Sequence, residues 1–175
     1  MLELLRTRSC VVACMASPPA IDACERVPGA LAGRISEDEA MLVASPPSSA
    51  SVLAAAVDRA SAADDDALVL DVSDGWATWT LRGRAAAAAF SSLSQLAIPA
   101  RGVVAGEVAG VAARVAVTDA GIHVFVPSML EAHVRSVIVR RCARFRPTDG
   151  GTEDWAADGG THAPRDAASD GGPAR

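Results

Sequence analysis

The stretch Ala67–Gly83, ALVLDVSDGWATWTLRG, constrains the fold more than any other part of the chain. Leu68 and Leu70 alternate with Val69 and Asp71, the period of a strand with one well-buried face. Asp74-Gly75 is a turn dipeptide. Beyond it Ala77, Trp79 and Leu81 share one face of a second strand, and Trp76, Thr78 and Thr80 share the other. Indole rings on opposite faces predict a strand covered on both sides. Packing is the simpler role for the two rings, against the alternative of a platform for a pterin or flavin. Gly83-Arg84 then open the alanine-rich run Ala85–Ala97, a helix with Phe90, Leu93 and Leu96 as its heavy side chains. Alanine has the best helix propensity and lets the helix backbone approach a sheet closely.

The same patterns recur along the chain. Ser9–Ala16 is a candidate first strand, ended by Ser17-Pro18-Pro19. Gly29–Ile35 and Glu39–Ala44 form a hairpin around Ser36-Glu37-Asp38, an acidic tip better explained by solvent than by a metal. After Pro46-Pro47-Ser48, residues Val52, Leu53, Ala56, Val57 and Ala60 fall on one helical face, and Asp64-Asp65-Asp66 closes that helix as an exposed loop. Pro99–Gly102 is a loop and Val103–Glu107 a short strand. Gly110–Thr118 and Ile122–Val126 flank Asp119-Ala120-Gly121 as a second hairpin. Ser128 and Glu131 stand at capping-box spacing before a last helix to Phe145, with Leu130, Val134, Val137, Ile138, Arg141, Cys142 and Phe145 along one seam. Alternating hairpins and helices give an α+β fold of antiparallel or mixed sheets of hairpins covered by helices.

Composition bounds the rest. At 175 residues and 50% hydrophobic, the chain can build one core. With 3% aromatics and no tyrosine, that core is aliphatic. All 16 basic residues are arginine. The absence of lysine excludes a Schiff-base enzyme and a Walker-type phosphate loop, which need that amine. A net charge of −5 argues against nucleic acid as partner. Residues 1–147 are expected to form one domain with its first ~8 residues loose, and 148–175 an acidic disordered tail rich in Gly, Ala and Asp. The apolar run after Arg8 is too short for a signal sequence, and Pro46-Pro47 interrupts the uncharged run Ala40–Val57, so no membrane span is expected. The expected location is the cytoplasm.

Candidate chemistry is sparse. Cys10, Cys14, Cys24 and Cys142 include no C-x-x-C pair and no nearby histidine, so neither a metal site nor, in a reducing compartment, a disulfide is expected. His123, His133 and His162 neighbour no nucleophile elbow, and no G-x-G-x-x-G is present. No catalytic, cofactor-binding or metal-binding residue is assigned. Arg135, Arg140, Arg141, Arg144 and Arg146 crowd the end of the last helix. They complement its dipole, and Arg135, Arg140, Arg141 and Arg144 are the candidate partner interface. Arg141, placed in the apolar seam, is expected to pair or to face that partner.

The segment DVSDGWATWTLRG before an alanine-rich helix, with DEAMLVASPP upstream and GIHVFVPSMLEAHV downstream, resembles the gamma subunit family of heterotetrameric sarcosine oxidase. The likeness covers Gly29–Phe145. That family is similar in turn to the folate-binding domain of the glycine-cleavage aminomethyltransferase, so the resemblance implies that fold. In the aminomethyltransferase, adjacent acidic residues follow a double glycine; here Ala113 and Arg114 follow Gly110-Val111-Ala112. The related iron–sulfur-repair folate proteins carry a lysine–glycine–cysteine segment that this lysine-free chain lacks. The resemblance therefore implies a non-catalytic accessory subunit docked on a large flavin-containing alpha subunit, in an enzyme that oxidatively demethylates sarcosine or a similar secondary amine. FAD, FMN, NAD and tetrahydrofolate are expected on partner subunits and none in this chain. A stand-alone folate-binding one-carbon protein is the alternative, and a binding module of unrelated function is a third reading.

Overall fold

The computed structural model describes residues 1–98 and 102–156. Two sheets lie face to face, with helices on both outer sides. The larger sheet has the order β10-β1-β6-β9-β8-β7, built from β1 (Leu2–Arg8), β6 (Trp76–Arg82), β7 (Val103–Val108), β8 (Val111–Thr118), β9 (Gly121–Pro127) and β10 (Pro147–Asp154). The smaller has the order β3-β4-β2-β5, built from β2 (Cys10–Met15), β3 (Leu31–Arg34), β4 (Glu39–Ala44) and β5 (Leu68–Asp71). All pairings are antiparallel except β1 with β10, which is parallel. Helices α1 (Pro18–Cys24) and α2 (Ser49–Ser61) cover the smaller sheet, burying Ile21, Cys24, Val52, Ala56 and Ala60 against Cys10, Val12, Cys14 and Leu42. Helices α3 (Ala86–Phe90) and α4 (Glu131–Arg141) cover the larger one, where Phe90, Val134 and Ile138 meet Leu4, Trp79, Leu81 and Val124. Between the sheets lie Val11, Met41, Val43, Ala116, Phe125 and Trp155.

Strand β6 sits at the centre of this arrangement, covered on both faces as its alternation predicts. Ala77, Trp79 and Leu81 point to the helix side, and Trp76 lies in the layer between the sheets. The preceding segment departs from expectation. Asp74-Gly75 does not fold β5 back on β6. Strand β5 pairs with β2 in the smaller sheet, while β6 lies between β1 and β9 in the larger. The 3-10 turn Ser73–Gly75 carries the chain from one sheet to the other. Asp71 accepts the backbone N–H of Ser73 at 2.9 Å, and the Ser73 hydroxyl accepts the N–H of Val11 at 2.9 Å. Both residues therefore build the crossover.

Five more expectations are corrected. The first residues are not loose: β1 is an interior strand with Leu2, Leu4 and Leu5 buried. Because both its faces are covered, it lacks the simple alternation of a half-exposed strand. The acidic tail does not begin at 148: Pro147–Asp154 pairs along β1, and Trp155, which follows it, is 2% exposed. The expectation of disorder beyond 156 lies outside the described residues. Pro18 and Pro19 do not only end β2; they occupy the first turn of α1, where a missing N–H costs nothing. The alanine-rich helix keeps only Ala86–Phe90 in α-helical form, and the Ser91 and Ser92 hydroxyls bond back to the Ala87 and Ala88 carbonyls at 3.0 and 3.1 Å, an interaction that weakens the helix end. Ser128 makes no capping bond either; Ser128–Leu130 is a 3-10 turn, and the Glu131 carboxylate instead accepts Arg6 Nε of β1 at 2.5 Å.

Glycine is needed where the outer strands of the two sheets meet. A Cβ on Gly33 of β3 would stand 2.3 Å from the Val103 nitrogen of β7. The backbones of β3 and β7 thus touch directly and close one side of the sandwich. Among the described residues no helix is long and apolar enough to cross a membrane.

Candidate functional site

Three regions of the described residues bear on function. The first is the end of α4. Arg135, Arg140, Arg141 and Arg144 all lie at the surface, but the structure does not use them as one cluster. Arg135 donates to Asp149 of β10 at 3.2 Å, with its guanidinium 6.0 Å above the Trp79 ring. Arg144 donates to the Ser92 hydroxyl at 3.0 Å and stacks on Phe145 at 4.6 Å. The Arg135 partner lies on β10, a strand absent from the expected fold. Arg140 and Arg141 are exposed and make no ion pair among the described residues. Arg141 is not in the apolar seam, which α4 builds from Val134, Val137 and Ile138. It borders an open depression of about 570 Å³ with Ser94, Gln95 and Glu107. Val139, 42% exposed, and Met129, 87% exposed, add apolar surface to the same helix region.

The second region was not anticipated. Strand β5 ends the smaller sheet, so its outer backbone groups have no strand neighbour. The pairings Met15↔Leu68 and Ala13↔Leu70 put Met15, Leu68 and Leu70 on one face. It is the face whose other members, Val11, Met41 and Val43, pack between the sheets. The larger sheet does not reach this far, which leaves Met15 43%, Leu68 47% and Leu70 42% exposed. Asp64, Asp65 and Asp66 precede the strip and Asp71 and Asp74 follow it. An open hydrophobic strand edge is a liability in a free protein, normally blunted by charge, proline or a covering element. The Leu68/Leu70 alternation predicted a well-buried face, and that expectation is corrected: the crossover to the other sheet leaves the face uncovered.

The third region is a buried polar chain between the sheets. Thr7 and Thr80 hydroxyls lie 2.6 Å apart, Thr80 Oγ1 is 2.7 Å from His123 Nδ1, and Thr118 Oγ1 is 2.8 Å from His123 Nε2. Thr7, Thr80 and His123 are 1%, 0% and 3% exposed. Hydroxyls donate or accept, so they can meet either ring nitrogen. The Trp155 ring covers His123 at 4.3 Å between centroids. With both ring nitrogens engaged and a tryptophan over its face, His123 serves as a connector within the core. Period-2 alternation placed His123 and Phe125 on one face correctly, but nothing local pointed to Trp155.

The positions singled out by the resemblance are structural here. Ala113 is fully buried in the helix-side core. Arg114 faces the smaller sheet, 3.8 Å from a Glu39 carboxylate oxygen, with its guanidinium 5.8 Å from the Trp76 ring. Among the described residues no group of three or more His, Cys, Asp or Glu is placed to hold a metal ion.

No protein-family model matches the sequence, and no curated protein matches it. Solved structures do. A chain of heterotetrameric sarcosine oxidase from Corynebacterium sp. U-96, in complex with pyrrole 2-carboxylate, superposes with a TM-score of 0.67 at 14% identity, over 85% of this chain and 87% of its own. The glycine cleavage system aminomethyltransferase T from Bartonella henselae superposes with a TM-score of 0.58 at 14% identity, over 87% of this chain and 47% of its own. The present chain thus spans about half of that enzyme. At such identities the likeness is one of architecture: the chain has the α+β fold that a sarcosine oxidase subunit shares with part of an aminomethyltransferase.

Proposed function

We propose that this chain is a non-catalytic accessory subunit of a sarcosine-oxidase-like flavoenzyme complex, the counterpart of its gamma subunit. The observation that carries this reading is the even overlap with the sarcosine oxidase chain. Because 85% of this chain matches 87% of that one, the two have nearly equal length, so the matched subunit is a small separate polypeptide rather than part of a large one. The surface supports the same reading. The strip of Met15, Leu68 and Leu70 on an open strand edge is the kind of apolar surface a permanent partner covers. The partner would be the large flavin-containing alpha subunit, with FAD, FMN, NAD and tetrahydrofolate held on partner subunits. Arg140 and Arg141 would supply a second, polar contact, and Arg135 and Arg144 would flank it. The complex would work in the cytoplasm on sarcosine or a similar secondary amine.

Co-expression with the large flavoprotein subunit tests the proposal. The expected result is stoichiometric co-elution of the two chains on size exclusion, lost on Leu70→Glu and weakened by Arg141→Glu. A chain that elutes alone, beside a flavoprotein that oxidises sarcosine at full rate without it, would overturn the reading. A second reading, a stand-alone folate-binding one-carbon protein, draws on the aminomethyltransferase likeness. It is tested by titrating the purified chain with tetrahydrofolate, and saturable binding in the absence of any partner would favour it.

A further inference from the structure

Cys14, near the end of β2, and Cys24, in the last turn of α1, face each other in the core between α1, α2 and the smaller sheet. Both are fully buried. Their sulfurs are 3.1 Å apart, and Cys24 Sγ also lies 3.7 Å from the Ala56 carbonyl oxygen of α2. A disulfide bond is about 2.04 Å long, so closing it needs an approach of about 1 Å. Cys10 and Cys142, also buried, have no sulfur partner among the described residues. We propose that Cys14 and Cys24 are an oxidisable pair, which a peroxide converts to an intramolecular disulfide that staples α1 to β2.

The two thiols are not equivalent. The hydrogen bond with Cys24 and burial push the Cys14 thiol up. The hydrogen bond shared with Cys14 pushes the Cys24 thiol down, opposed by burial and helped by the Arg59 charge. Attack by either sulfur, as thiolate, leads to the same disulfide; with Cys24 attacking first the bonds change in this order. The Cys24 sulfur bonds to one oxygen of hydrogen peroxide, the O–O bond breaks, and hydroxide leaves, giving a sulfenic acid. Cys14 sulfur then attacks the Cys24 sulfur. The S–O bond breaks, the Cys14 proton goes to the departing oxygen, and water is released. The hydroxide takes up the proton that Cys24 had lost. Overall the two thiols lose two electrons and one peroxide becomes two waters. Because both sulfurs are buried, the reaction waits on local opening of α1, a helix of 7 residues that can loosen without global unfolding.

The full-length chain is treated with hydrogen peroxide, alkylated and weighed. Before alkylation the expected product has lost about 2 Da; after alkylation in denaturant it carries two alkyl groups where the untreated chain carries four, and dithiothreitol restores the other two thiols. Cleavage at arginine leaves Cys10, Cys14 and Cys24 on one peptide, Ser9–Arg26, since the chain has no lysine. A second cut before Asp22 separates Cys24 from the other two, and fragmentation then distinguishes Cys14 from Cys10. The expected link is Cys14–Cys24. A loop this short still restricts the unfolded chain, so Tm should rise by roughly 5–10 °C on oxidation. Cys14→Ser and Cys24→Ser should each abolish both the mass loss and the Tm rise. Added oxygen on Cys24 without a cross-link, a link that maps to Cys10 or Cys142, or no change in mass would each overturn the proposal.

Discussion

Removing Trp155 should destabilise the protein severely, although it follows the last strand and lies in a segment of Gly, Asp and Thr. Its side chain is 2% exposed, with its ring tilted against His123 at 4.3 Å and 5.8 Å from the Phe125 ring. A buried tryptophan removes roughly 150–250 Å² from water, which at about 25 cal/mol per Å² is worth ~4–6 kcal/mol. The indole N–H has no acceptor among the described residues, and that offsets about 1–3 kcal/mol. The middle of these ranges puts the cost of Trp155→Ala at about 3 kcal/mol, at the low end of the range measured for such core substitutions. In a domain of this size that lowers Tm by roughly 6–12 °C. The assay is thermal unfolding followed by circular dichroism, comparing the single variant with chains ending at Ala156 and at Pro147. The chain ending at Pro147 should fall further than Trp155→Ala. It also loses the ladder along β1 and the Arg82–Glu153 pair, in which Arg82 Nη2 reaches both carboxylate oxygens at 2.7 Å. If Trp155→Ala melts within about 2 °C of the parent, the ring does not hold the sheets together and the reasoning fails.

Three further outcomes follow from the same structure. Gly33→Ala puts a methyl group 2.3 Å from the Val103 nitrogen and 2.6 Å from its carbonyl oxygen; neither backbone can yield easily, so urea unfolding should show a loss of about 1–3 kcal/mol or more. Thr80→Val keeps the shape but removes the hydroxyl bonded to both Thr7 and His123, costing about 1–3 kcal/mol, whereas Thr80→Ser should recover most of it. The Ser17 N–H, and then its hydroxyl, hold the Asp64 carboxyl below its ordinary 3.8. The stabilisation from that bond is complete above the unfolded value and is lost as pH falls below 3.8 through the lower folded value. Asp64→Asn should flatten the acid limb of a stability–pH curve, and an unchanged limb would refute the assignment.

What local pattern could reveal was the set of strands whose neighbours are close in sequence. The hairpins β3–β4 and β8–β9 were legible because alternation and turn chemistry act over a few residues. So was the double burial of β6, from Trp76 and Trp79. The misreadings share one cause, that partners lie far along the chain. Asp74-Gly75 has the chemistry of a hairpin turn, and only the competing pairs β5 with β2 and β6 with β1 decide that it is a crossover. Thr148–Asp154 has poor strand composition, and it is strand because β1 offers a free edge and Trp155 an anchor. One tryptophan in a segment otherwise poor in apolar residues was the available signal. The candidate surface was half legible for the same reason. The arginines of α4 could be counted, but the loss of Arg135 to Asp149 and of Arg144 to Ser92 depends on elements brought there by the tertiary fold.

The position of β1 has a consequence for how the chain is made. It is the first of these strands to leave the ribosome, yet its neighbours β6 and β10 emerge much later, the second only when synthesis of the described residues is nearly complete. Both edges of β1 stay open until β6 is made and one stays open until β10 is made, with Leu2, Leu4 and Leu5 uncovered meanwhile, a state prone to intermolecular pairing. Non-local pairings of this kind also slow folding, because the chain must be closed into long loops before any contact rewards it. The larger sheet therefore cannot assemble in the order of translation, and the nascent chain has to be kept apart from its neighbours until its last strand arrives.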